Sequence, residues 1–242
     1  CPSRGLGDVY KRQGFNNAGK HGDTIRVFTA NSNSVTAVND TDSVNEDAAV
    51  TKTASQDDVL NDDSDPESDS FSVTHIKKDG GTNSAVSSGT NNSNGTSVTG
   101  TYGTLVIGAD GSYTYTADQD AADDLDANDT APDTFVYTIT DDHGATDTAD
   151  LVITVTGVND DPVAVNDTDT VTADQSVSKS ESQDDVMNDD SDPDDDDTFT
   201  VTHIKKYGAA SNSTVSSSTT NANGTSVTGT YGVLTIGADG SY

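Results

Sequence analysis

The 242 residues of this chain contain no tryptophan, one methionine, one cysteine and five prolines. The single cysteine is Cys1, so no disulfide holds any part of the fold. Cytosolic chains lack disulfides too, so cysteine usage does not fix the compartment. No apolar run approaches the roughly 20 residues that a spanning helix needs, and no membrane span is expected. Basic residues are scarce: 11 Lys and Arg stand against 42 Asp and Glu, a net charge of −31. Nucleic acid is set aside as a partner because its phosphates would be repelled. Anionic membrane surfaces are disfavoured for the same reason. An excess of carboxylates attracts cations, and it also keeps a large surface unassociated. Low hydrophobicity with high charge can mark disorder, but the regular apolar alternation below argues for a folded chain.

What the chain does have is repetition. Ala37-Val38-Asn39-Asp40-Thr41-Asp42 returns as Ala164-Val165-Asn166-Asp167-Thr168-Asp169, 127 residues on. Gly95-Thr96-Ser97-Val98-Thr99-Gly100-Thr101-Tyr102-Gly103 returns as residues 224–232, now 129 residues on. A unit of this length is a domain, not a solenoid turn. Tandem domains serve reach, spacing or multivalent contact, whereas catalysis needs one site, so no enzyme is expected.

The organisation follows from the two copies. Residues 1–20 read as a non-native or disordered leader: Cys1 to Gln13 is basic where the rest is acidic, and it resembles a translated library adaptor. Residues 21–34 read as a remnant strand and linker, 35–156 as the first repeat, 157–162 as an acidic linker and 163–242 as a truncated second repeat. Tyr242 is the counterpart of Tyr113, so the chain reads as an internal fragment of a longer repetitive protein.

Strand signals dominate. Phe135, Tyr137 and Ile139 alternate with polar or smaller residues, as do Leu151, Ile153 and Val155, the period of a half-buried strand. Leu105 and Ile107, then Ala109-Asp110-Gly111-Ser112, then Tyr113 and Tyr115 read as a hairpin, because Gly tolerates positive φ. Residues 118–128 allow one short helical turn, and 81–97 read as a long loop. Close strands with polar turns predict an all-β fold, an antiparallel β-sandwich.

The strongest chemical signal is an acidic loop: Asn61-Asp62-Asp63-Ser64-Asp65-Pro66-Glu67-Ser68-Asp69 in the first copy, and residues 188–197 in the second. Alternate carboxylates in a short turn can converge on one point, and hard oxygen ligands without His or Cys suit Ca²⁺. A solvated acidic turn is the alternative. The loop is no EF-hand, since no Gly holds the sixth position. A second candidate is the junction Gly157-Val158-Asn159-Asp160-Asp161-Pro162, short and acidic, where a cation could be shared between domains. His75 and His203 recur because the repeat recurs. No nucleophile-elbow pattern occurs.

The runs 103–116 and 133–144, with Val152-Ile153-Thr154-Val155-Thr156-Gly157-Val158-Asn159-Asp160, resemble the VCBS repeat and its bacterial cadherin-like relatives, which occur in large secreted adhesins. The resemblance implies tandem immunoglobulin/cadherin-like sandwiches, an extracellular location and calcium-stiffened linkers. It implies that Asn159, Asp160 and Asp161 bind Ca²⁺ with Glu46 of the preceding domain and the pair Asp190 and Asp192 of the following one. Asp126 sits where the family has a further acidic motif, with Asn128 replacing its second acid, and Gly157 replaces another. At the upstream end Asp63, Asp65 and Asp141 would face the previous linker, Ala30-Asn31-Ser32-Asn33-Ser34. It has no carboxylate, so that site is expected to be weak or empty.

The resulting expectation is a structural or adhesive repeat segment of an extracellular bacterial surface protein. Its partners would be neighbouring repeats of the same chain and a cell-surface or glycan receptor. A glycan-binding module, which the lack of Trp disfavours, and a spacer of a secreted hydrolase are the alternatives.

Overall fold

The computed structural model describes residues 33–54, 57–181, 184–194 and 197–242. The expected leader, most of the remnant strand and linker, and Asp195 and Asp196 of the second acidic loop lie outside the described residues.

The first repeat is a two-sheet sandwich. Five strands lie in the order β1 (Asp40–Asn45), β9 (Thr146–Thr156), β8 (Thr130–Asp141), β3 (Phe71–Lys78) and β4 (Ser84–Ala85). The second sheet runs β2 (Ala49–Lys52), β7 (Tyr113–Thr116), β6 (Thr104–Ile107) and β5 (Thr96–Thr99). All pairings are antiparallel except β1 with β9, which is parallel from Asp40 opposite Leu151 to Asn45 opposite Thr156. The period-two pattern works as expected: Phe135, Tyr137, Ile139, Leu151, Ile153 and Val155 are fully buried, facing Leu105, Ile107, Tyr113 and Tyr115 from the other sheet. Gly111, at φ +84°, makes the turn between β6 and β7. The expected helical turn is α1, Asp120–Asp123, the one helix among the described residues.

The second repeat forms two hairpins, β10 (His203–Ile204) with β11 (Ser213–Thr214), and β12 (Thr225–Thr228) with β13 (Val233–Ile236). Its buried cluster is Val215, Ile236 and Ala238. Leu105 is completely buried, while its counterpart Leu234 is 42% exposed. Among the described residues Leu234 lies in a two-stranded sheet, whereas Leu105 lies inside a four-stranded sheet packed into the first repeat's core. Tyr231 is fully exposed where Tyr102 is half-buried.

Candidate metal centre

The parallel pairing of β1 with β9 determines what stands at the junction between repeats. Glu46, the residue after β1, donates its N–H to Thr156 O at 2.9 Å. Its side chain is thereby buried beside the first linker residues, and Oε1 accepts the N–H of Val158 at 2.5 Å. The other oxygen, Oε2, is buried with no hydrogen-bond partner in the protein. From the second repeat, Asp194 accepts the N–H of Asp160 through Oδ2 at 2.8 Å. Asp194 is buried, and its Oδ1 also lacks a partner. Asp192 Oδ1 accepts the Asp194 N–H at 3.2 Å, so the two acids share one tight turn. Carboxylate oxygens of Asp192, Asp194 and Asp197 lie within 4.8 Å of one another.

The electrostatics agree with this crowding. Burial, then the charges of Asp160, Asp194 and Asp123, push Glu46 above the ordinary carboxylate range. Asp160 is pushed up by burial and then by Asp194, Asp47 and Asp192. Asp197 is pushed up by burial and then by Asp194, Asp126 and Asp192. Acids from both repeats and from the linker thus raise one another's pKa at the junction. An orphaned carboxylate oxygen away from water is costly unless something positive meets it.

A parallel arrangement lies at the other end of the first repeat. Asp65, Asp69 and Asp141 bring carboxylate oxygens within 4.8 Å of one another. Asp65 Oδ1 accepts the N–H groups of Glu67 and Asp69 at 2.7 and 3.2 Å, and Asp141 Oδ1 those of His143 and Ala145 at 2.9 and 2.8 Å. The second oxygens, Asp65 Oδ2, Glu67 Oε2 and Asp141 Oδ2, are buried and unpartnered. Burial pulls Asp141 upward, but the backbone N–H groups of Ala145, His143 and Gly144 outweigh it, so its carboxyl stays below the ordinary range. His143 Nδ1 lies 2.8 Å from both Asp69 and Asp142, and those two charges raise its pKa. Asn33 supplies an amide to Asp141 Oδ1 at 3.4 Å from the side where the linker has no carboxylate.

Of the residues singled out in the sequence, Glu46, Asp160 and Asp192 gather at the junction, while Asp65 and Asp141 gather upstream. Asp126 neighbours Asp197. Asn159 and Asp161 are exposed, and Asn159 Nδ2 donates to Asp160 O. Asp63 and Asp190 do not join the clusters. Asp63 Oδ1 accepts the N–H of Val38, and Asp190 Oδ1 that of Val165, both at 2.7 Å, so each fastens the start of its own repeat. On the following-repeat side, the carboxylates that cluster at the junction are those of Asp192, Asp194 and Asp197. Glu67 and Asp69 upstream and Asp194 and Asp197 at the junction belong to the two acidic loops as whole runs, and Asp123 lies outside both. Asp192-Pro193-Asp194 has the same Asp-x-Asp spacing as Asp190 and Asp192, so spacing could not choose between the pairs.

Gly157 is explained by packing. A Cβ there would stand 2.2 Å from Leu125 O and 2.3 Å from Asp126 O. The close approach is held by Gly157 N–H to Asp129 O at 2.9 Å and Asn128 N–H to Gly157 O at 3.0 Å.

The chemistry open to both clusters is cation binding by hard oxygen donors. Among known proteins, the family model described as the bacterial cadherin-like domain matches residues 31–157, just over half of the chain. None of the curated proteins matches the chain.

Proposed function

The chain belongs to the bacterial cadherin-like domain family, and from that premise we propose that it is a non-enzymatic structural repeat segment of an extracellular surface protein acting in adhesion. Ca²⁺ at the junction between its repeats would stiffen it. The observation that carries this reading is the pair of buried, unpartnered oxygens Glu46 Oε2 and Asp194 Oδ1, which belong to different repeats; Asp194 takes the N–H of Asp160, and the charges of Asp160 and Asp194 both act on Glu46. The donor set fits calcium: every group is a carboxylate, and Ca²⁺ takes six to eight oxygen donors in irregular geometry.

Glu46, Asp160, Asp192 and Asp194 would hold the ion, with Asp123, Asp126 and Asp197 adding charge around it. The bound ion supplies positive charge where like-charged acids otherwise repel. The protein's own part is placement. The β1–β9 pairing fixes Glu46 against Val158, and the turn at Asp192 presents Asp194 to the linker. Joining acids of two repeats through one linker restricts the hinge between them. Upstream, Asp65, Asp69 and Asp141 repeat the design against whatever precedes the repeat. A neighbouring repeat of the same chain is the natural partner at each end, and a cell-surface or glycan receptor the distal one.

Calorimetric titration of the full chain with CaCl₂ tests the reading. Binding with Kd of about 10⁻⁴ to 10⁻³ M is expected, as for other extracellular modules. Glu46→Gln with Asp194→Asn should abolish the junction component and leave the upstream one. No heat up to about 10 mM Ca²⁺ would sink the proposal.

A further inference from the structure

We propose that the first repeat is a load-bearing unit whose β1 and β9 form a shear clamp against tension along the chain. The parallel pairing carries the inference. β1 follows directly on the incoming chain and β9 leads directly to the outgoing linker, and the two run side by side over six paired residues, Asp40–Asn45 against Leu151–Thr156. Pulling the chain ends apart draws β1 backward and β9 forward along their common axis. All rungs are then loaded together. An antiparallel pair of terminal strands would open one rung at a time.

Both ends of the clamp are bolted. Where the chain enters, Tyr137 of β8 donates its hydroxyl into a ring of acceptors that includes Val38 O at 2.7 Å and Asp40 Oδ2 at 2.9 Å. Just before that, Thr36 and Ser64 exchange two backbone hydrogen bonds, and Ala37 N–H reaches Asp147 Oδ2 at 3.0 Å. Where β1 ends, Glu46 is tied by its N–H to Thr156 and by its side chain to Val158. Beneath the rungs, Val44 of β1 and Leu151, Ile153 and Val155 of β9 sit in the core, so sliding the strands would also expose apolar surface.

The rungs are identifiable by residue. Glu46 N–H points to β9, and successive residues of a strand point alternately, so Val44 and Asp42 point there as well. Ser43 N–H points away, and it is taken by Asp42 Oδ1 at 2.9 Å. Proline at 44 removes a rung, whereas proline at 43 does not.

This rests on the repeat's being a tether, but not on its binding calcium, so the test is run in chelator. The full chain is stretched in a single-molecule force experiment, first between its two termini. It is then stretched between Ala48→Cys, just beyond β1, and the C-terminus, in a Cys1→Ser background. The second geometry peels the same rungs from the end where Asn45 faces Thr156. The terminal geometry should give one event releasing about 40 nm of chain. Its rupture force should be about twofold or more above that of the peeling geometry, because forced unfolding follows the barrier along the pulling direction. Val44→Pro should bring the terminal force down to the peeling value, and Ser43→Pro should not. Equal forces in the two geometries would overturn the clamp, and that comparison needs no core variant. An equal loss from Ser43→Pro and Val44→Pro would overturn it too. Failure here leaves the calcium reading untouched, and a silent titration leaves the clamp untouched.

Discussion

Tyr115 of β7 donates its hydroxyl to Asp133 Oδ2 of β8 at 2.9 Å, a hydrogen bond that crosses the interior from one sheet to the other. Both residues are buried, and the same carboxylate accepts Thr101 N–H at 3.0 Å and Tyr102 N–H at 3.1 Å. Gly100 makes room for it, since a Cβ there would lie 2.0 Å from Asp133 Oδ2. One acid thus fastens the β5–β6 turn and ties the two sheets together.

Removing that acid strands three donors, whereas removing the phenol hydroxyl breaks one bond. Asp133→Ala should therefore destabilise the first repeat by about 3 kcal/mol and Tyr115→Phe by about 1 kcal/mol. Urea denaturation midpoints read the difference. Equal losses for the two variants would show that the turn bonds contribute nothing.

The acids around Tyr137 make stability depend on pH. Its one hydroxyl proton faces Val38 O, Val59 O, Asp40 and Asp63. Burial first, and then neighbouring acids against the Tyr137 hydrogen bond, raise Asp40 to about 7; burial chiefly raises Asp63 to about 6. A carboxyl with a raised folded pKa favours folding when protonated. That contribution is fully present below the ordinary value of 3.8 and is lost as pH rises through about 7. Without divalent cations the repeat should therefore be more stable at pH 5 than at pH 8. For half-buried groups the difference is about 1–2 kcal/mol after solvent screening. Thermal melts across that range should flatten in Asp40→Asn. A wild-type profile already flat in chelator would refute the assignment.

At Gly157 the family resemblance and the packing point in opposite directions. An acid there would add a ligand, but its Cβ would stand 2.2 and 2.3 Å from two backbone carbonyl oxygens. Gly157→Asp should lower stability by about 2 kcal/mol or more, with Gly157→Ala close behind, and gain no calcium affinity. Melting temperatures and a calcium titration of the two variants decide it. A stable Gly157→Asp with tighter binding would show that the loop at 125–129 yields.

Much of the first repeat was legible because its signals are local. Alternation in 134–140 and 151–156 follows from one face being buried, and the turn at Asp110-Gly111 from the φ that glycine allows. The acidic clusters were legible only as a neighbourhood. Within a run such as residues 188–197 every second residue is a plausible ligand, and which pair faces the linker depends on the turn. Asp190 is taken by Val165 N–H, which leaves Asp192 and Asp194 to the junction. Asp123 carried no such signal: its place beside Asp47 and Asp160 comes from α1, whose Ala122 is buried in the core.

The sequence by itself determined that the chain is a repeated, acidic, all-β unit with its apolar residues at period two. Only the tertiary structure decided which copy of a given segment becomes a strand. Residues 37–42 and 164–169 are identical, yet Asp40 opens β1 while Asp167 lies in no strand. The physical reason is that β1 is an edge strand whose ladder partner, β9, lies more than a hundred residues further along the chain. Its hydrogen bonds and its buried face come from a strand that no local pattern in residues 37–42 reveals, so long-range pairing, not local sequence, makes the segment a strand.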